Sequence, residues 1–214
     1  MTNPKIYVAP YSTYVRSARL ALEEKGVAYD IESVDILSGV ENNTPEHLAR
    51  HPFAKIPAFE HDGFALYEGC AIMRYVDEAF NGPPLQPGDA RERARMTQAM
   101  SIIDSYAYPS LLQQIVIQRL VVPMMGGTTD EEAVANAVPQ ARTSVGALEA
   151  LLDGNAYLAG SALSLADLHF VPICDYVSKT PEGEGLLGDA PNLTRWWAEM
   201  SERASVKTTA PQLD

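Results

Sequence analysis

Ile56-Pro-Ala-Phe-Glu-His-Asp-Gly-Phe-Ala-Leu-Tyr-Glu68 is the stretch whose reading decides the fold. It holds two short β-prone runs, Ile56 to Phe59 and Phe64 to Tyr67, joined across His61-Asp62-Gly63, and Asp-Gly is a tight-hairpin signal. From Glu68 to Phe80 the apolar period changes to that of a helix, with Ala71, Ile72, Tyr75, Val76 and Phe80 on its apolar side. Upstream, Lys5 to Val8 is a strand ended by Ala9-Pro10. Val15 to Lys25 follows as a helix, apolar at Val15, Ala18, Leu20 and Leu22 and stopped by Gly26. Tyr29 to Val34 resumes strand character, so the chain opens with βαβ, whose right-handed crossover pairs its strands in parallel. A polar stretch, Ser38 to Thr44, and one helical turn, Pro45 to Ala49, lead into the hairpin.

The order βαβ then ββα predicts a thioredoxin-like α/β domain over residues 1–81. Asn81-Gly-Pro-Pro84 and Pro87-Gly88 break the pattern and mark a linker at 82–88. Strand signals then vanish, and residues 89–214 read as an all-α C-terminal domain. Asp89 to about Val121 is one long helix, interrupted or bent near Tyr108-Pro109. A loop from Pro123 to Thr128 precedes a helix from Asp130 to Leu152 that contains Pro139. Ser164 caps a third helix and Asp167 answers it in a capping box, with Leu163 and Leu168 as the flanking hydrophobic staple. A last helix follows Pro191 and carries Trp196 and Trp197. The polar tail from Ser205 is expected to fray.

Composition narrows the function. The 214 residues carry a net charge of −12, which argues against nucleic acid as a partner and against attachment to anionic lipid. No apolar run approaches a membrane span, and Met1 to Lys5 lacks the pattern of a secretory leader. Cys70 and Cys174 are too few for a disulfide framework, which points to a reducing, cytoplasmic setting. His47 and His51 are spaced i, i+4, but Pro52 disfavours a continuous helix through them and two nitrogens are an incomplete set, so no metal is expected.

Lys5-Ile-Tyr-Val-Ala-Pro-Tyr-Ser12, Leu20-Ala-Leu-Glu-Glu-Lys-Gly26, His51-Pro-Phe-Ala-Lys-Ile-Pro57, Leu66-Tyr-Glu-Gly-Cys-Ala-Ile-Met-Arg-Tyr75 and Leu163-Ser-Leu-Ala-Asp-Leu168 occur in that order. Together they resemble the cytosolic glutathione transferases over nearly the whole chain. Pro10, Ser12 and His51-Pro-Phe-Ala54 look most like the serine-type phi class or a related bacterial class. The resemblance implies glutathione as co-substrate, a small hydrophobic electrophile as second substrate, and a two-fold homodimer with Met73, Arg74 and the helix after the linker near the contact.

The same resemblance assigns roles. Ser12, at the strand-to-helix junction, would donate to the glutathione sulfur and favour its thiolate; it also fits an N-cap. Tyr7 and Tyr11 are rival hydroxyls. Ile56 would meet the cysteinyl part through its backbone, ahead of a cis Pro57. Glu68 would take the γ-glutamyl ammonium, and the Gly69 N–H its carboxylate at a helix N-terminus. Gly69 departs from the family serine. Lys55 is the candidate for the glycyl carboxylate, and Asn42 and Asn43 stand where related chains carry basic residues. Tyr106 and Tyr108 are the candidates for the electrophile pocket. Transfer, peroxidase or isomerase chemistry, and a non-catalytic binding or assembly module all remain compatible with these residues.

Overall fold

The computed structural model describes residues 2–211. The chain forms two compact units, one running to Leu85 and including the residues from Ala204, the other Gln86–Arg203. In the first, strand β1 (Lys5–Val8) leads to helix α1 (Thr13–Lys25) and β2 (Asp30–Ser33). A 3-10 turn (Glu41–Asn43) and α2 (Pro45–Arg50) precede β3 (Ala58–His61), β4 (Phe64–Tyr67) and α3 (Gly69–Ala79). The sheet order is β2-β1-β3-β4, with β1 and β2 parallel and the other two pairs antiparallel. Ile6 stands opposite Phe59 in register. Both are buried with Leu20 and Leu22 of α1 and Ile72 and Val76 of α3, so α1 and α3 share one core face of the sheet. Asp62 and Gly63 take φ of 47° and 82°, the two left-handed positions that a two-residue hairpin turn demands.

The ends of α1 follow the local chemistry. Ser12 is its N-cap, and Gly26, at φ 66°, closes it in the left-handed conformation. The Lys25 ammonium lies 3.0 Å from the Asp77 carboxylate, and both side chains are buried. It also donates to the carbonyls of Gly82 and Pro83, while the Leu85 N–H donates to Asp77. These bonds hold the first residues of the expected linker in the first unit.

In the second unit α4 (Ala90–Ile102) is capped by Asp89 and runs into a π-helical segment, Ile103–Val121. Its i→i+5 bonding surrounds Pro109, which has no N–H to give, so the expected interruption takes the form of a widened helix rather than a break. One further turn, α5 (Val122–Met124), precedes α6 (Glu131–Leu152) and α7 (Leu165–Val177). The Ser164–Asp167 capping box is present, and buried Asp167 also accepts from the Leu158 N–H and the Trp196 Nε1. Helix α9 (Pro191–Ser201) carries both tryptophans.

Two elements depart from the sequence reading. Helix α8 (Pro181–Gly188) was not anticipated in a segment with three glycines. Thr180 caps it, and a Cβ at Gly183 would come 1.8 Å from the Val177 carbonyl, so glycine there is a packing requirement. The tail is not frayed as far as it is described. Ala204–Thr208 forms a short helix, α10, with Ser205, Val206 and Thr209 buried, because buried Arg16 donates to the Val206 carbonyl and Ser205 donates to Glu24. It therefore groups with the first unit instead of with 89–203. Residues 212–214 of that tail lie outside the described residues. Among the described residues no helix is long and apolar enough to cross a membrane.

Candidate functional site

The first turn of α1, the loop between α2 and β3, and the β4–α3 junction surround a cavity of about 140 Å³ in the first unit. Tyr14, His51, Phe53, Lys55, Ile56, Pro57, Glu68 and Gly69 line it. Five of the expected residues, Lys55, Ile56, Pro57, Glu68 and Gly69, are thus brought together, whereas Ser12 and Tyr11 are not among the residues that line it. The Ile56–Pro57 bond is cis. Lys55 is exposed at the cavity while Ile56 and Pro57 are buried, as suits residues entering a central strand.

Glu68 caps α3 from φ 73° and ψ 116°, a conformation that side chains disfavour. Its carboxylate makes no capping bond to its own helix. Gly69 opens α3, is buried, and needs no left-handed φ; a Cβ there would sit 3.3 Å from Cδ1 of the Tyr14 ring. A side chain at Gly69 would press on the Tyr14 ring by a few tenths of an ångström, while the backbone conformation there is open to any residue.

Ser12 is half-buried at the amino end of α1, and its Oγ accepts from the Val15 N–H at 3.4 Å. That weak cap uses an oxygen lone pair and leaves the hydroxyl proton to donate, so capping and thiolate stabilisation are compatible. The rival hydroxyls differ. Tyr7 is buried under the Arg50 guanidinium, which lies 4.3 Å from its ring centre, and it packs within β1. Burial, aided by the charge of Asp35, pushes the Tyr11 phenol above its ordinary range.

Three further expectations are corrected. Asn42 is not at the cavity: its buried amide donates to the Ala54 carbonyl at 2.9 Å and holds the 51–54 loop, where Ala54 itself sits at φ 54°. Its neighbour Asn43 donates to the Gly39 carbonyl. Tyr106 and Tyr108, two positions apart on one helix, point different ways. Tyr106 is 64 % exposed on a 370 Å³ groove with Ile102, Pro109, Gln140, Thr143 and Ala147, whereas Tyr108 does not line it. Burial, then the charge of Asp104, raises the pKa of Tyr108. Of the expected contact pair, Arg74 is exposed and Met73 is fully buried, because it falls on the core side of α3.

Sequence reasoning missed Tyr14, His51 and Phe53 at the cavity. Phe53 and His51 lie in the same motif that located Lys55 to Pro57, but that motif marks the class and by itself gives neither side chain a place at the cavity. His47, the other member of the i, i+4 pair, is committed elsewhere, with Nε2 2.9 Å from the Lys55 carbonyl.

Two family models match the chain: the glutathione S-transferase N-terminal domain over residues 6–84 and the C-terminal domain over residues 100–204. The chain belongs to the glutathione S-transferase family. Among its relatives, glutathione S-transferase 1 of Zea mays is 34% identical, covering 98% of this chain and 97% of the relative. Glutathione S-transferase F10 of Arabidopsis thaliana is 32% identical over 93% of each. A solved structure, glutathione S-transferase I from maize in complex with an atrazine glutathione conjugate, superposes with a TM-score of 0.87 at 32% identity, covering 98% of this chain and 97% of that one. These relatives are of the plant F type, the phi class, in keeping with Pro10, Ser12 and the His51-Pro-Phe-Ala54 motif.

Proposed function

We propose that this protein joins glutathione, through its thiolate, to a small hydrophobic electrophile. The observation that carries the reading is the convergence of Lys55, the cis Ile56–Pro57 bond, Glu68 and Gly69 on one cavity, in a chain 34% identical to a named glutathione transferase. In this reading the cysteinyl part of the tripeptide lies along Ile56, and Lys55 meets the glycyl carboxylate. Glu68 pairs with the γ-glutamyl ammonium, and the first N–H groups of α3 take the neighbouring carboxylate.

A free thiol is mostly protonated at neutral pH, and the thiolate is the nucleophile. The Ser12 hydroxyl donates to the sulfur and the amino end of α1 adds its partial positive charge, so both favour the anion. The thiol proton leaves to solvent. The sulfur lone pair forms the carbon–sulfur bond as the leaving group departs with its electron pair. Product analysis with glutathione and an activated aryl chloride tests this: one thioether per glutathione consumed supports it. Glutathione disulfide from a peroxide, or turnover without glutathione consumption, assigns peroxidase or isomerase chemistry instead.

We further infer a cytoplasmic homodimer. Phe53 and Tyr106 are each 64 % exposed, and Tyr106 lies on a largely apolar groove; aromatic surface of this kind suits an isologous interface. Neither Cys70 nor Cys174 is held in a disulfide, which suits a reducing compartment.

A further inference from the structure

His51 is only 2 % exposed, yet its ring lines the cavity beside Glu68 and Gly69. Its Nδ1 is buried with no hydrogen-bond partner. A buried polar atom without a partner is costly; other buried imidazole nitrogens of the protein share this feature, but among the described histidines only His51 lines this cavity. The surroundings fix the ring rather than satisfy it. It stacks parallel to His47 at 6.5 Å, meets the Phe53 edge at 6.2 Å and tilts against Tyr67 at 4.9 Å. Tyr67 immediately precedes Glu68, so the imidazole is packed against the element that places the start of α3.

At the start of α3, Gly69 brings no side-chain donor to the same cavity. It contributes a backbone N–H and no hydroxyl, and the Tyr14 ring crowds the position of a side chain there, 3.3 Å from where its Cβ would lie. A carboxylate at the amino end of α3 thus meets backbone N–H groups, while an under-used imidazole borders the same cavity.

We propose that His51 is a ligand-binding residue that donates an imidazole N–H to the γ-glutamyl end of glutathione and stands in for the hydroxyl absent at Gly69. This rests on the glutathione site proposed above. A neutral imidazole carries one N–H donor, which suffices. Burial holds His51 below the ordinary imidazole range, and the nearby His47 and Lys55 charges act in the same sense while Glu68 opposes them. The ring is accordingly neutral at neutral pH and does not compete with the ligand ammonium for Glu68. His51 therefore determines specificity for the γ-glutamyl group rather than for the thiol.

The test compares glutathione with cysteinylglycine, which lacks the γ-glutamyl group, by titration calorimetry on the whole protein. His51→Phe keeps an aromatic ring against Tyr67 and Phe53 and removes both nitrogens. It should weaken glutathione about tenfold, equivalent to ~1.4 kcal/mol, and leave cysteinylglycine unchanged. His51→Gln restores an N–H donor and should recover part of the loss. It also serves as the test variant if the phenylalanine protein melts early. Unchanged glutathione affinity in a folded variant, or equal weakening of both ligands, overturns the proposal in favour of a packing role. Wild-type protein that binds neither ligand overturns the glutathione-site reading itself, and this inference with it.

Discussion

At the scale of single residues, Glu68 is held at φ 73° and ψ 116°, where a non-glycine residue costs about 1–3 kcal/mol. Strain at a residue facing a ligand cavity implies a conflict between stability and binding. Glu68→Gly should therefore raise the midpoint of thermal unfolding, by about 1 kcal/mol or more in stability, while weakening glutathione severely. Melting and calorimetry on the same preparation check both halves, and a less stable glycine variant refutes the strain argument. Ala54, at φ 54° with its carbonyl held by Asn42, is the second such position. Ala54→Gly should add about 1 kcal/mol in urea unfolding, since its conformation suits glycine. Much of the cavity was legible because its signals are local: proline after Ile56 and an acid at a helix start. His51, Tyr14 and Asn42 were not legible, because burial and hydrogen-bond partners depend on which distant elements fold over a residue.

At the scale of elements, Asp167 shows how one capping residue can hold several segments. Its carboxylate accepts from Ser164 N–H and Oγ, from Leu158 N–H and from Trp196 Nε1, all in a fully buried setting. Asp167→Ala strands these donors at about 1–3 kcal/mol each, so a loss of at least ~3 kcal/mol is expected in denaturant unfolding. The motif was readable from Ser164 to Asp167, but the reach to Trp196 was not, since no local pattern encodes it. Arg119 plays a comparable part on the surface by pairing with Glu131 of α6 and Glu182 of α8. Its hydrogen bonds hold both carboxyls below their ordinary range. Folded-state pKa values below the unfolded ones mean that the unfolded chain binds more protons in acid. The stabilisation is therefore present above the usual carboxylate range and fades as pH falls through the lowered values. Arg119→Met should flatten the acid limb of a stability–pH profile, and a profile parallel to wild type would remove the network from the account. Helix α8 escaped the sequence because its glycines depress helix propensity, and the Val177 carbonyl that demands Gly183 is visible only in the fold.

At the scale of the whole molecule, the alternation of strand and helix signals up to Tyr67 and the disappearance of strand signals after the linker distinguished the two units. The exception is the end of the chain, whose polar composition concealed the contacts of α10 with Arg16 and Glu24. Light scattering at micromolar concentration should give twice the 23.3 kDa chain mass, and a monomer alone would remove the dimer. The central claim, that the protein binds glutathione as a thiolate through Ser12, is tested most directly by titrating the ultraviolet thiolate absorbance of bound glutathione. In wild type the bound thiol should ionise below the free-thiol pKa of about 8.5. In Ser12→Ala it should return upward by about 1–2 units, the equivalent of one hydrogen bond to a charged group. Identical titrations in the two proteins, with glutathione bound to both, would contradict the account.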